Sequence, residues 1–367
     1  MQNTPKKENT IGKITLTEYK DKLRAAFLGR AAGCTLGAPV EGWTLQQMEE
    51  YAKETGLADY PLNDYWTKSP TPDQQRYIHE TYSSYLKNSM THIPCDDDIG
   101  YTLLSLFIAE EGNGLDFTLE DVAKAWVKYI TVAYTAEQVA LDNLKKGIPP
   151  EKAAEIDNPY DEWIGADIRC DGYGYMAPCN PRKAADMAET DALISHRSNG
   201  VYGSMYFAAV ISLGFGLSDT KKALTAGLDY IPADCDLADG IRWALDNYET
   251  VKDYRHAVEL VDERYPDMSA VHTINNACLT VFSLSLGKKD IGKVISNAVA
   301  MAHDCDCTAA TAGSIAGACY GMEHLEDHWY KPFGDTVGSY FNGEKSYSIN
   351  DILSRFEKFA LLGGQII

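Results

Sequence analysis

Two short acidic clusters, Cys95-Asp96-Asp97-Asp98 and Asp304-Cys305-Asp306-Cys307-Thr308, stand far apart in this chain, and each runs directly into a stretch of helical composition. Carboxylates gathered at one spot repel one another, so a fold that collects them must bind a cation or keep some of them protonated. Hard oxygen donors in two clusters suit Mg²⁺, Mn²⁺ or Ca²⁺, and suit a pair of ions. A single Asp is enough to cap a helix, whereas Asp96, Asp97 and Asp98 put three carboxylates into one turn. The neighbouring thiols raise Zn²⁺ as an alternative, but there is no C-x₂-C pair and the companions are Asp rather than His. The pattern points to an enzyme.

The elements that must bring these groups together read as helices. Thr15 to Glu18, Thr118 to Asp121 and Ser348 to Asp351 have the spacing of capping boxes or N-caps ahead of apolar residues at i, i+3, i+4 and i+7. Asp290 can cap the run to Met301, and stretches near 203–217, 221–229, 236–247, 251–263 and 271–286 have helical composition. Alternating strand patterns are nearly absent, which predicts an all-α protein. Two runs carry Gly or Ala at every third or fourth place. One is Gly29 to Gly37, ending just before Pro39 and Glu41; the other is Thr308 to Gly321. Such faces let another backbone approach closely. They would draw Asp304 and Asp306 into the interior, where unpaired carboxylates are costly, to meet Asp96 and Asp97. Residues 56–95 and 157–181, rich in Pro, Gly and aromatics, read as long functional loops.

The 367 residues carry a formal net charge of −20, with a pI near 4.8 and a mean hydropathy of −0.28. Such a surface repels nucleic acid and anionic lipid, so neither is expected as a partner. No run of eighteen apolar residues predicts a membrane span, and the polar start of the chain has no signal-peptide pattern. Nine cysteines without a disulfide-like spacing favour a reducing cytoplasm. No linker composition divides the chain. A tail over 1–14 and one domain over 15–367 are expected.

The three segments, in this order, resemble the ADP-ribosylglycohydrolase family. Gly29 to Glu41 matches its G-x-x-x-G-[D]-x-x-G-x-P-x-E helix. Cys95-Asp96-Asp97-Asp98 matches T-D-D-T, and Asp304-Cys305-Asp306-Cys307 matches D-x-D-[ST]. Between them, Ile164-Gly165-Ala166-Asp167-Ile168-Arg169 is a looser counterpart of N-G-A-x-M-R, and Ser195-His196 echoes a Thr-His pair. The resemblance implies a single-domain orthogonal helical bundle with two Mg²⁺ ions, or Mn²⁺, at its centre. It implies hydrolysis of a glycosidic bond at the ribose of an ADP-ribosyl conjugate, free or protein-linked. Carried over by position, Cys95, Asp96, Asp97, Asp304, Asp306 and Cys307 form the metal set, and Glu41 and Asp97 are the catalytic pair. Gly165, Arg169, Tyr173 and His196 face the substrate, with Tyr173 or Tyr175 available to stack on adenine.

The chain departs from that pattern at Cys95 and Cys307, where the family has hydroxyls, at Cys34 in place of Asp, and at Ile164 in place of Asn. A thiol is a poor Mg²⁺ ligand, which favours the softer Mn²⁺. It also keeps open a non-catalytic descendant that binds ADP-ribose or serves a structural role. An isoprenoid-type synthase, the other all-α aspartate-rich class, is excluded because D-D-x-x-D fails at Gly100 and Tyr101.

Overall fold

The Thr15 hydroxyl accepts from the Glu18 amide at 3.2 Å and turns the chain into its first helix. Thr118, Asp290 and Ser348 cap theirs in the same way. The structure, a computed structural model, describes residues 11–57, 60–69 and 80–367. Its helices in chain order are α1 (Leu16–Gly37), α2 (Leu45–Glu54), α3 (Asp97–Glu111), α4 (Leu119–Tyr129), α5 (Thr135–Lys145), α6 (Pro150–Ala153), α7 (Asp171–Met176) and α8 (Pro181–Ala192). They continue with α9 (Ser198–Leu217), α10 (Thr220–Gly227), α11 (Asp236–Asp246), α12 (Tyr254–Arg264), α13 (Thr273–Gly287), α14 (Ile291–Ala300), α15 (Cys305–Tyr320) and α16 (Ile349–Leu362). The all-α expectation holds.

The centre of the molecule is the contact between α1 and α15, the two small-residue runs. A Cβ added at Gly33 would lie 2.3 Å from the Ala309 carbonyl oxygen, and one at Gly313 would lie 2.3 Å from that of Gly29. One at Gly37 would meet the Asp306 Cα at 2.5 Å, and one at Gly317 the Ala26 amide at 2.3 Å. The backbones therefore touch along most of both helices. The partners run 26 with 317, 29 with 313, 33 with 309 and 37 with 306, so the helices are antiparallel. The end of α1, with Glu41 just beyond, thus lands beside the start of α15. Helices α3, α9, α13 and α14 pack around this pair. Of these, α9 is long and apolar enough to cross a membrane, but 83% of its apolar window is buried in the bundle, where such a helix serves as core.

A small antiparallel hairpin, β1 (Thr336–Gly338) with β2 (Ser346–Ser348), was not anticipated from the sequence. The Ile93 amide donates to the Thr336 carbonyl and the Gly338 amide to that of Ile93, both at 2.9 Å, which fixes the approach to the first acidic cluster. Two further expectations are corrected. Within the loop predicted over 157–181, residues Ile164–Arg169 form a 3₁₀ helix that leads into α7. It forms because Arg169 is anchored in the core by buried carboxylates. Residues 11–14 of the expected tail are tied down: the Ile14 amide donates to Gln365 and the Ile367 amide to Ile14, both at 3.0 Å. The loop predicted over 56–95 falls partly outside the described residues; within them it includes the 3₁₀ turn Tyr82–Tyr85.

Because the α1–α15 contact is backbone on backbone, no rotamer change can make room at Gly33. Gly33→Val is expected to cost roughly 3 kcal/mol or more by overpacking, read as a fall in the denaturant midpoint. Gly42→Ala, where nothing lies within 4 Å of the added Cβ, is expected to cost only about 1 kcal/mol, from its positive φ.

Candidate functional site

Asp96 is the N-cap of α3, and Asp97 and Asp98 lie in its first turn. Asp304 is the N-cap of α15, with Asp306 in its first turn. Both acidic clusters thus occupy helix N-termini, where the dipole favours negative charge, and the antiparallel α1 delivers Glu41 to the same place. Asp304 is held by a strained approach, since Ala302 and His303 both adopt left-handed backbone, at φ 58° and 57°. That geometry costs non-glycine residues roughly 1–3 kcal/mol each, so neighbours must enforce it. The Asn276 side-chain oxygen accepts from the Asp304 amide at 3.3 Å and from the Thr308 hydroxyl at 3.2 Å. Its amide nitrogen donates to the Ala270 and His272 carbonyls, both at 2.8 Å. Nothing in the sequence reading singled out Asn276, although the adjacent amides Asn275 and Asn276 in the first turn of α13 are the available signal.

Ligand-type atoms converge within 4.8 Å of one another in three groups: Glu41 with Asp304 and Asp306; Asp98 with Asp306 and Cys307; and Cys34 with Asp96 and Asp98. The buried oxygens Asp98 Oδ2, Asp304 Oδ1 and Asp306 Oδ1 have no hydrogen-bond partner among the described residues. Burial, and then the charges of neighbouring carboxylates, push Asp97 and Asp306 well above the usual carboxylate range. Burial also lifts the Cys307 thiol, with Asp304 adding to it. Unsatisfied hard oxygens crowded in a dry site fit a divalent cation, or two. The identity of the ion is a matter of chemistry rather than of this geometry.

Not every acid there is available. Arg30, buried in α1, binds Asp98 Oδ1 through Nη2 and Asp171 Oδ2 through Nη1, each at 3.0 Å. It also donates to the Thr102 hydroxyl at 2.7 Å and the Ile168 carbonyl at 2.6 Å. Burial alone would lower its pKa, and Asp171 and Asp98 more than reverse that. One face of Asp98 therefore belongs to a structural ion pair. A lone Arg within a run of Gly and Ala was the overlooked sign of it.

Beside the acidic centre opens a cavity of about 370 Å³. Glu41, Asp97, Asp304 and Cys307 contribute acid and thiol; Tyr101, Tyr134 and Trp163 contribute rings; Ile164, Gly165, Ile168 and Val271 line it further. Glu137 adds another carboxylate, and among the described residues no Lys, Arg or His lines the cavity.

Of the residues selected from the sequence, Glu41, Asp97, Asp304, Cys307 and Gly165 line this cavity. Asp96 and Asp306 belong to the ligand groups, whereas Cys95 belongs to none and Cys34 takes its place. The Cys95 carbonyl accepts from the Tyr85 hydroxyl at 2.6 Å, and its thiol lies toward Gly338 of β1. Three substrate-facing expectations are corrected. Arg169 is buried between Glu137 (2.6 Å) and Asp191 (2.9 Å), with the Trp126 ring 4.9 Å from its guanidinium carbon. Two desolvated carboxylates outcompete a ligand for it. His196 is fully buried, its Nδ1 2.8 Å from the Ser195 hydroxyl. Burial and then Arg169 hold it well below the usual histidine range, hence neutral. Tyr173 packs on Phe117 at 5.5 Å in the core, and Tyr175 donates to or accepts from the Ser314 hydroxyl at 2.6 Å. Neither tyrosine lines the cavity. The rings that do, Tyr101, Tyr134 and Trp163, were not selected from the sequence, which carries no signal separating cavity aromatics from core ones.

A family model described as ADP-ribosylglycohydrolase matches residues 15–357. A solved structure titled "ADP-ribosylglycohydrolase-related protein complex" has a TM-score of 0.59 and 16% identity, covering 95% of this chain and all of that one. At that identity the likeness shows the fold. Among curated proteins none matches.

Two outcomes are expected. Asp97 and Asp306, lifted in the folded state, bind protons more tightly there than in the unfolded chain. Their stabilising effect is full below the ordinary carboxylate range and is lost as pH rises through their lifted values. In excess chelator the melting temperature should therefore fall as pH rises above the ordinary carboxylate range. Saturating Mn²⁺ or Mg²⁺ should remove that slope, and Asp306→Asn should weaken both the slope and the metal response. Separately, Arg169→Met should destabilise by about 3–5 kcal/mol, because it strands Glu137 and Asp191 in the interior; chemical denaturation checks it.

Proposed function

Because the chain belongs to the ADP-ribosylglycohydrolase family, we propose that it is a hydrolase cleaving the glycosidic bond at the ribose of an ADP-ribosyl conjugate. The observation that carries this reading is the convergence of Glu41, Asp98, Asp304 and Asp306, from three distant segments, beside a ring-lined cavity that Glu41 and Asp304 help to line. Those carboxylates, with Asp98 shared with Arg30, would hold the divalent cations. Bound there, such ions polarise ligand oxygens and lower the pKa of a coordinated water.

The chain's own residues supply the rest. Asp97 lines the cavity and is lifted by burial and by Asp96 and Asp98. A carboxyl kept protonated near neutral pH can give its proton to a departing atom. Glu41, at the turn after α1, is placed to take the proton of the attacking water. The surrounding negative charge favours the positive anomeric carbon of an oxocarbenium-like transition state. Tyr101, Tyr134 and Trp163 offer faces for a planar base, and Ile164, Ile168 and Val271 exclude water. Since no basic side chain among the described residues lines the cavity, a diphosphate would be met by loop amides and the cations rather than by Arg169. Cys307, kept as a thiol by burial, gives Mn²⁺ an advantage over Mg²⁺, which demands oxygen ligation.

Release of ADP-ribose from Arg-, Ser- and small-molecule-linked conjugates is the test. Activity should require a divalent ion, with Mn²⁺ at least as effective as Mg²⁺. Asp97→Asn and Glu41→Gln should each lower kcat about 10²–10⁴-fold with little change in melting temperature. If the wild type cleaves nothing while Cys95→Thr/Cys307→Thr gains activity, the chain is a lapsed enzyme. If neither protein cleaves or binds ADP-ribose, the reading fails.

A further inference from the structure

Glu137 lines the same cavity as Glu41, Asp97 and Asp304, yet it joins none of the ligand groups at the acidic centre. Its ionic partner is Arg169, whose Nη1 donates to Oε1 at 2.6 Å. The Thr135 hydroxyl reaches Oε2 at 3.4 Å, longer than is usual between two oxygens. A carboxylate can accept about four hydrogen bonds, so capacity remains on the cavity side. Burial raises the Glu137 carboxyl and Arg169 opposes that rise; the ion pair keeps the group an acceptor. The side chain is only 4% exposed, so a further donor must come through the cavity.

The local chain is built to hold this carboxylate among rings. A Cβ on Gly165 would lie 2.6 Å from the Glu137 carboxyl carbon and closer still to both oxygens, so only glycine admits it there. Tyr134 and Thr135 stand just ahead of Glu137, and Trp163 and Ile164 just ahead of Gly165; all four line the cavity. Thr135 adopts left-handed backbone at φ 46°, a conformation that a β-branched residue keeps only when its surroundings enforce it. Trp163 is braced by the Tyr160 ring, 4.6 Å away between centroids. The next amide, that of Ile164, donates to the Val271 carbonyl at 3.0 Å.

We propose that Glu137 is a specificity residue for the nucleobase, accepting a hydrogen bond from the exocyclic amino group of a base that lies against Tyr134 and Trp163. The inference rests on the hydrolase reading and names the group that selects its substrate. Cations held at the acidic centre take the ribose whose bond is broken. The nucleoside lies at the other end of the ligand, beyond the diphosphate, and so belongs at a part of the wall outside the ligand groups. An adenine amino group gives the carboxylate a donor. A base without one leaves a buried charge short of a partner, and such sites reject the analogue strongly.

The test is calorimetric binding, in Mn²⁺, of free ADP-ribose and two analogues. One has hydrogen in place of the adenine amino group; the other lacks the 2′-hydroxyl of the adenosine ribose. The wild type is expected to bind the first analogue about tenfold or more weakly than ADP-ribose, and the second within about threefold. Glu137→Gln keeps the side-chain shape and an oxygen for Arg169, but turns an amide nitrogen to the base. It should bring ADP-ribose and the first analogue to within about threefold of each other. Tyr134→Leu should weaken all three ligands about tenfold, since stacking does not depend on the amino group. Melting temperatures matching the wild type exclude a folding defect in the variants, and the wild-type ratios stand without them. Equal binding of ADP-ribose and the first analogue by the wild type refutes the inference. So does a loss confined to the second analogue, which assigns the carboxylate to the sugar. In both cases, release of ADP-ribose from conjugates leaves the hydrolase reading standing. If the wild type binds none of the three and cleaves no conjugate, both fall.

Discussion

The backbone-to-backbone approach of α1 and α15 is the constraint on which the rest depends. Glycines at 29, 33, 37, 313 and 317 remove the side chains that would otherwise hold two helices apart. Because the pair is antiparallel, this contact alone decides that Glu41 and Asp306 meet. A parallel pairing of the same faces would place them at opposite ends of the molecule. The core has therefore been built so that its tightest seam terminates in its chemistry, and the seam admits no slack that would let the carboxylates drift apart.

Around that seam, buried charge is handled in two ways. Arg30 and Arg169 are each clamped by two carboxylates, so that their charges are paired within the chain. Their cost in desolvation is high and their net contribution to stability small, but they orient what surrounds them. Arg30 fixes α3 against α1 and the 3₁₀ segment, and Arg169 holds Glu137 at the cavity wall. Asp304 and Asp306, in contrast, have no ion-pair partner among the described residues, and each keeps a buried oxygen without a hydrogen bond there. The separation of ion-paired from unpaired acids divides framework from site more clearly than residue type does, since all are aspartates or glutamates in the interior.

The same division explains why some residues carried over by position lie at the acidic centre and others do not. Acids at helix N-termini have their placement fixed by the helix itself, so Asp96, Asp97, Asp304 and Asp306 could be read from spacing. Arg169 and Tyr173 lie on a segment whose partners are distant in sequence, Glu137, Asp191, Ser195 and Phe117, and His196 is buried beside Ser195 and close to the charge of Arg169. A charged or aromatic side chain there joins the nearest buried partner rather than the ligand, and that partner is not visible in the motif.

What the sequence determined by itself was local and periodic. Caps and apolar spacing define helices through interactions within a turn or two, so the all-α class, most helix starts and the two small-residue faces were legible. The acidic clusters announced a cation site because like charges in one turn need neutralising wherever the chain places them. Only the tertiary structure decided which of those acids face the cavity, that Asp98 is shared with Arg30, that Cys34 rather than Cys95 joins the ligand groups, and that Tyr101, Tyr134 and Trp163 form the walls. These depend on the direction in which one helix crosses another and on which buried groups pair first. Neither is encoded within the span of a turn.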